Sequence, residues 1–429
     1  MNRRLAAACV AGTLLVSTHV AAAVDWNNPP SVVAAAIEVS PLIGEIKARG
    51  AAARERLKLA GALPNPTLSG GVENQPIDFS RDRGFTIYAV GASQLFIRGE
   101  KRKALTEAAE SDVRRIEAEE ETLRAEIRMD VVVAYDAAAG AQSQINASEE
   151  IARLSAMITS AARIRYETGA GPQLDVIRAR LEENHVQQFV LDERGQREGA
   201  LARLRARLNL PENEVIPPFT LTHAGGHRRR PVVTADFTTR ATFILDAELA
   251  RAEAEVQLAR LQRKPDLQLE VRYGFRPSQK DFFSVMGRVE LPIRRATVVD
   301  PRIQEEIARR DAAKARVEIL RQELRAELGV AIAEQKAAGQ QMRLHAEVLV
   351  PEAKLAFESA LTLYQNGKAG LDAVLSALRT YRQLNVDYYS LLLRQDLAED
   401  QIEGLIYGAR RCKSGSAAGV MAAGTLEVR

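Results

Sequence analysis

Two periods of hydrophobic patterning alternate along this chain. Residues 266–275, DLQLEVRYGF, put Leu267, Leu269, Val271, Tyr273 and Phe275 on one face of an extended segment. Gln268, Glu270, Arg272 and Gly274 fall on the other. FSVMGRVEL, from Phe283, alternates as well: Phe283, Val285, Gly287, Val289 and Leu291 stand against Ser284, Met286, Arg288 and Glu290. TLSGGVE and FTIYAVGASQLF in the first half alternate less cleanly, although Leu68, Gly70 and Val72 still oppose Thr67, Ser69 and Glu73. The pattern predicts four strands, at about 66–74, 84–96, 266–275 and 283–291, each of about 9–11 residues, enough for a tilted strand to cross a bilayer. Phe79, Phe85, Tyr273, Phe275, Phe282 and Phe283 gather at the turn ends, as in an interfacial aromatic belt. Alternation alone leaves two readings open. One is a pair of soluble hairpins packed on each other; the other is a set of membrane strands with Leu267, Leu269, Val271, Tyr273, Val285 and Val289 facing lipid.

The second period is helical. From Arg98 to Thr168 there is no proline, Gly99 and Gly140 are the only glycines, and Ala, Glu, Arg and Leu dominate. A helix of about 70 residues is about 105 Å long, beyond what a globular core can bury. The second half supplies its equal from about Pro301 to Asn366, interrupted in pattern by Pro351. Each ends in a similar phrase, YETGAGPQLDVI from Tyr166 and YQNGKAGLDAVL from Tyr364. In both, Tyr-x-x-Gly leads through a glycine-bearing turn to Leu-Asp at the start of a returning helix. Gly169 and Gly367 suit left-handed helix stops, so each half predicts a long antiparallel hairpin.

The phrases recur at nearly constant offset: NPTLSGGVE and KPDLQLEVRYG lie about 199 residues apart, GASQLF and GRVELP 196. The chain therefore divides into one large unit written twice. Residues 24–209 form the first helix–strand–helix repeat, with its hairpin at about 98–209. Residues 234–409 form the second, with its hairpin at about 299–409. A Pro-, Gly- and charge-rich linker, 210–233, joins them, and a flexible tail, 410–429, follows.

Composition changes this picture in two places. A charged fraction of 27% looks soluble, yet MNRR, then LAAACVAGTLLV, then HVAAA reads as a signal peptide over 1–23, cut after Ala23. Its loss takes Lys plus Arg from 59 to 57 against 56 Asp plus Glu, a nearly neutral chain that argues against a nucleic-acid partner. Cys9 lies in the signal, where lipidation is the alternative to an ordinary apolar-core cysteine; Cys412 is then alone and no internal disulfide is expected. His223 and His227 in HAGGHRRR lack a third ligand on a linker without fixed geometry, so no metal or cofactor is expected. No phosphate loop, zinc-protease helix or nucleophile motif appears, and no enzyme is read.

Four strands cannot close a barrel, and open edges in lipid are excluded, so copies must combine: eight strands fill their bore, twelve leave a lumen. The order and recurrence of LPNPTLSGGVEN, SQLFIRGEKRKAL and the two Tyr-x-x-Gly…Leu-Asp phrases resemble the TolC-like outer membrane efflux proteins of Gram-negative bacteria over nearly all of the mature chain. GVEN and SQLFIRGEKR look closest to components of metal-cation and other resistance-nodulation-division pumps. The resemblance implies a mainly α fold with a small β part: a homotrimer with a 12-stranded outer-membrane barrel continued by a periplasmic helical barrel. It also implies passive export with an inner-membrane pump and a periplasmic adaptor, and contact with outer-membrane lipid. Carried over by position, Asp175, Tyr364, Lys368 and Asp372 are gate residues, and Gly169, Gly171, Gly367 and Gly370 adaptor-contacting tips. Leu375 stands where some members have another acid. The bland alternatives are helix-end packing for the tyrosine and helix-dipole stabilisation for the acids. An adaptor or a coiled-coil scaffold without a pore is the competing function.

Overall fold

The computed structural model describes residues 24–75, 85–219, 241–277 and 279–407. The predicted signal peptide with Cys9, the loop bearing Phe79, both linker histidines, most of the linker and the tail with Cys412 lie outside the described residues. The elements run α1 (Pro29–Val39), α2 (Pro41–Ala60), β1 (Thr67–Glu73), β2 (Ile87–Phe96), α3 (Gly99–Glu167), α4 (Gln173–Arg207), α5 (Ala241–Leu261), β3 (Leu267–Phe275) and β4 (Phe282–Val289). A π-helical turn (Arg295–Val299), α6 (Asp300–Leu344), a second π-helical turn (His345–Leu349), α7 (Val350–Gln365) and α8 (Leu371–Tyr407) complete them. The fold is mainly helical with one small antiparallel sheet.

The chain forms two compact units, each drawing on both halves of the sequence, with α3 and α6 contributing to both. One holds residues 45–120 and 242–322 and contains the sheet, ordered β1-β2-β3-β4. Register is continuous across it: Leu68 faces Ala92, Ala92 faces Val271, and Val271 faces Val285. All four strands are shorter than the sequence predicts, with 7, 10, 9 and 8 residues for β1 to β4. β1 stops at Asn74, whose φ of 55° leaves the extended region, and β4 stops short of Pro292, which has no N–H to donate. Below the strands, Asp266 ties a corner, accepting from the Arg98 backbone N–H at 3.1 Å and from Lys101 Nζ at 2.8 Å.

The other unit holds the helical hairpins. Its first core gathers Trp26, Val131, Tyr135, Leu204 and Phe219. Tyr135 stacks on Phe219 with ring centres 4.3 Å apart and donates its hydroxyl to the Trp26 carbonyl at 2.8 Å. Its second core joins the hairpins: Ile158, Ala162, Ala179 and Val186 from the first pack with Phe357, Leu361, Val374 and Leu378 from the second. α3 runs unbroken for 69 residues, whereas its counterpart is broken by the turn at His345–Leu349. Pro351 explains the difference, since its ring excludes the carbonyl four residues back and removes a donor, and a widened turn absorbs the mismatch. Among the described residues no helix is long and apolar enough to cross a membrane.

Candidate functional site

Two features stand out, one in each unit. The first is the pair of hairpin turns. Gly169 and Gly367 both have φ of 71°. In the first turn the Gly169 N–H bonds the Tyr166 carbonyl at 3.0 Å and Ala170 N–H the Arg165 carbonyl at 2.8 Å. In the second, Gly367 bonds Tyr364 at 3.0 Å and Lys368 bonds Leu363 at 2.8 Å. The same helix stop is thus built twice, and only a residue without Cβ adopts its left-handed position freely. A Cβ at Gly171 would stand 3.3 Å from that of Arg165, while Gly370 has open space around it.

The side chains diverge where the backbones agree. Tyr166 is exposed and Tyr364 is buried. Tyr364 Oη donates to Asp175 Oδ2 at 3.3 Å, joining α7 to the first turn of α4. Burial, then the charge and hydrogen bond of Asp175, push the phenol up to about 12, opposed by Arg165. It therefore keeps its proton across physiological pH and acts as a donor. The Arg165 guanidinium lies 4.7 Å from the ring centre, donates to the Tyr364 carbonyl, and donates to the Ala170 carbonyl at 3.0 Å. One cation thereby satisfies a carbonyl in the last turn of α7 and another in the turn after α3, close to two helix C-termini whose dipoles favour it.

Sequence reasoning assigned the basic role to Lys368. Its side chain is exposed and makes no ion pair or hydrogen bond among the described residues; the cation beside Tyr364 is Arg165. Asp372 is paired with Arg178 of α4 at 3.2 Å, its own side chain 83% exposed. Leu375 is buried in the core shared by the hairpins. Neither arginine was found from sequence, because nothing local separates them from the other arginines on these helices.

The second feature is the sheet. Leu68, Val72, Tyr88, Val90, Leu267, Leu269, Val271, Tyr273, Phe275, Phe283, Val285 and Val289 are all exposed, and register puts them on one face across all four strands. The opposite face carries Thr67, Ser69, Glu73, Ser93, Gln268, Glu270, Arg272 and Arg288. Arg272 pairs there with Glu73, and Arg288 stands 3.9 Å from Glu270. The apolar face is left uncovered while the charges pair with one another on the opposite face, unlike a soluble sheet that packs its apolar face on a core. β1 and β4 are its unpaired edges. Among the described residues no cluster of His, Cys, Asp and Glu is arranged to hold a metal ion.

The family model described as outer membrane efflux protein matches residues 32–210. Among solved structures, the chain is similar to CusC, described in terms of folding and transmembrane channel formation (16% identity, 88% of this chain and 92% of that one, TM-score 0.76). It is similar also to the outer membrane protein VceC of Vibrio cholerae (18%, 89% and 96%, 0.74) and to the outer membrane channel CmeC of Campylobacter jejuni (15%, 92% and 88%, 0.70). No curated protein matches it in sequence.

Proposed function

We propose, from the match of residues 32–210 to the outer membrane efflux protein family model, that the chain is the outer-membrane channel of a tripartite efflux system. It sits in the bacterial outer membrane with a long periplasmic helical extension. It conducts substrates passively from an inner-membrane pump of resistance-nodulation-division type and a periplasmic adaptor. The single observation that carries this reading is the inverted sheet: a continuous apolar face on four strands, a charge-paired opposite face and two open edges. Edges cannot be left open in lipid, where each unpaired backbone group costs several kcal/mol. Three copies joined edge to edge give a closed twelve-stranded barrel with the apolar face in lipid and the polar face lining a wet lumen.

In the helical unit, Tyr364, Asp175, Arg165, Arg178 and Asp372 hold the two hairpin tips together in a resting gate, and the adaptor docks on the turns around Gly169, Gly171, Gly367 and Gly370. Such contacts suit a gate because they fix a geometry at modest cost and break without unfolding a core. The expected result is a protein that fractionates with outer membranes, needs detergent to dissolve, and forms low-conductance pores in planar bilayers. Tyr364→Phe combined with Asp175→Ala raises that conductance several-fold. Purified protein that stays monomeric and soluble without detergent would point instead to an adaptor or a coiled-coil scaffold. Pores indifferent to the double substitution would remove the gate while leaving the channel.

A further inference from the structure

We propose that the tie setting the drive needed to part the two hairpins lies above the turns, at Glu182, whose carboxylate is gripped by Arg379 and Arg382. The proposal rests on the gate reading and names the residues that dominate it. Glu182 is on α4 and is only 2% exposed; both arginines are on α8, Arg379 57% and Arg382 27% exposed, so the enclosed member of the clamp is the carboxylate. Oε2 accepts from Arg379 Nε at 2.7 Å and lies 2.7 Å from its Nη2, while Oε1 faces Arg382 Nη1 at 3.5 Å.

Its place follows from helical spacing. α4 and α8 both begin at the tips and run away from them. Glu182 is seven residues beyond Asp175, and Arg379 seven beyond Asp372. A step of seven returns each side chain to the same helix face about 10 Å farther on. The clamp is thus the next rung of the seam that begins with Tyr364–Asp175 and Arg178–Asp372, set among Ala179, Val186, Leu378 and Tyr381 of the shared core. The lower rungs differ in kind. Asp372 is already bathed in water, so parting it from Arg178 strands nothing, and exposed pairs of that sort contribute little. Tyr364 to Asp175 is a single hydrogen bond of 3.3 Å. Separating α4 from α8 at Glu182 leaves a buried carboxylate without either cation until water reaches it, and removing one partner of a buried pair is strongly unfavourable. The closed state therefore depends most on this rung.

The test is time-averaged current through the full-length protein in planar bilayers, for wild type, Tyr364→Phe/Asp175→Ala, Glu182→Gln and Arg379→Gln. Glu182→Gln keeps the shape and hydrogen-bonding reach of the side chain but deletes its charge. It is expected to raise the current about tenfold or more, above the effect of the tip double variant. Arg379→Gln, which leaves the carboxylate to Arg382 alone, moves the current the same way and serves if the Glu182 variant does not assemble. A tip variant that opens the pore while Glu182→Gln and Arg379→Gln stay at the wild-type level overturns the clamp and leaves the channel reading standing. Wild-type protein that forms no pore overturns both.

Discussion

Arginine at position 271 will keep the protein out of the outer membrane. Val271 is the central residue of β3, exposed on the apolar face, with Ala92 on one side of it and Val285 on the other. An arginine at the bilayer midplane on the lipid face of a barrel costs about 2–4 kcal/mol. In a trimer the charge enters three times at the same depth, roughly 6–12 kcal/mol in all. That is comparable with the whole stability of an ordinary fold, about 5–15 kcal/mol. The matched control is Ser93→Arg, one strand over on the polar face and directly opposite Glu270 in register, where a cation finds a carboxylate and a wet lumen. Immunoblots of separated membranes and of detergent-extracted trimer are expected to show Val271→Arg strongly depleted and Ser93→Arg near wild type. Equal depletion of both would mean that the sheet tolerates no arginine anywhere. Val271→Arg at wild-type abundance would mean that the apolar face does not meet lipid, and the channel would lose its main physical support.

How far the sequence reaches is clear from β2 and β3. β3 alternates without a break, so its faces are legible in ten residues. β2 is not, because Ile87 and Leu95 fall on the polar face while Gln94 falls on the apolar one, reaching down to the Pro64 carbonyl at 2.8 Å. Only pairing with β3 orders it: Val90 opposite Tyr273 and Ala92 opposite Val271 fix which side is which. Strand identity is local information, and strand facing is shared between neighbours.

The same division runs through the helical tips. The repeated Tyr-x-x-Gly phrase fixes two turns of equal φ, since backbone chemistry is written in the glycines themselves. It does not distinguish Tyr166, which is exposed, from Tyr364, which is buried beneath Arg165, because burial depends on what packs alongside. Lys368 is named as the basic partner by the resemblance alone. The cation that lies over Tyr364 is Arg165 of the preceding helix, at a spacing visible only once α3 and α7 lie together. Pro351 announced an interruption, but the π-helical turn that accommodates it is a property of the folded helix.

Glutamine at position 193 will flatten the pH dependence of the first hairpin's stability and strengthen it above neutrality. The buried positions of α4 include Ala179, Glu182, Val186, Val190, Glu193, Ala200 and Leu204, steps of three, four and seven that mark one packed seam. Two of them are acids, and their surroundings differ. Glu182 has two arginines. Glu193, 4% exposed, has no cation beside it; its neighbour is the side-chain amide of Gln144 on α3, whose oxygen can accept from the protonated acid and whose nitrogen, turned over, can donate to the carboxylate. Burial, then the charge of Asp192, raise the Glu193 carboxyl from 4.5 to about 7. A folded-state pKa above the unfolded one means that the folded chain holds the proton more tightly. That contribution is complete below pH 4.5 and is lost as pH rises through about 7. A displacement from 4.5 to about 7 corresponds to about 3 kcal/mol per chain between the two limits. Glutamine keeps the shape, pairs amide to amide with Gln144 and does not titrate. Thermal unfolding followed by circular dichroism from pH 4 to 8 (about the span in which a carboxylate so displaced titrates) is expected to show wild type falling with pH and Glu193→Gln nearly level. The two curves separate most at the alkaline end. Parallel curves would show that Glu193 holds its proton no more tightly in the folded chain than in the unfolded one, and that the α3–α4 contact tolerates the ionised carboxylate. The falling curve would instead identify a hairpin whose α3–α4 seam loosens toward neutral pH because a buried carboxyl without a cation must ionise there.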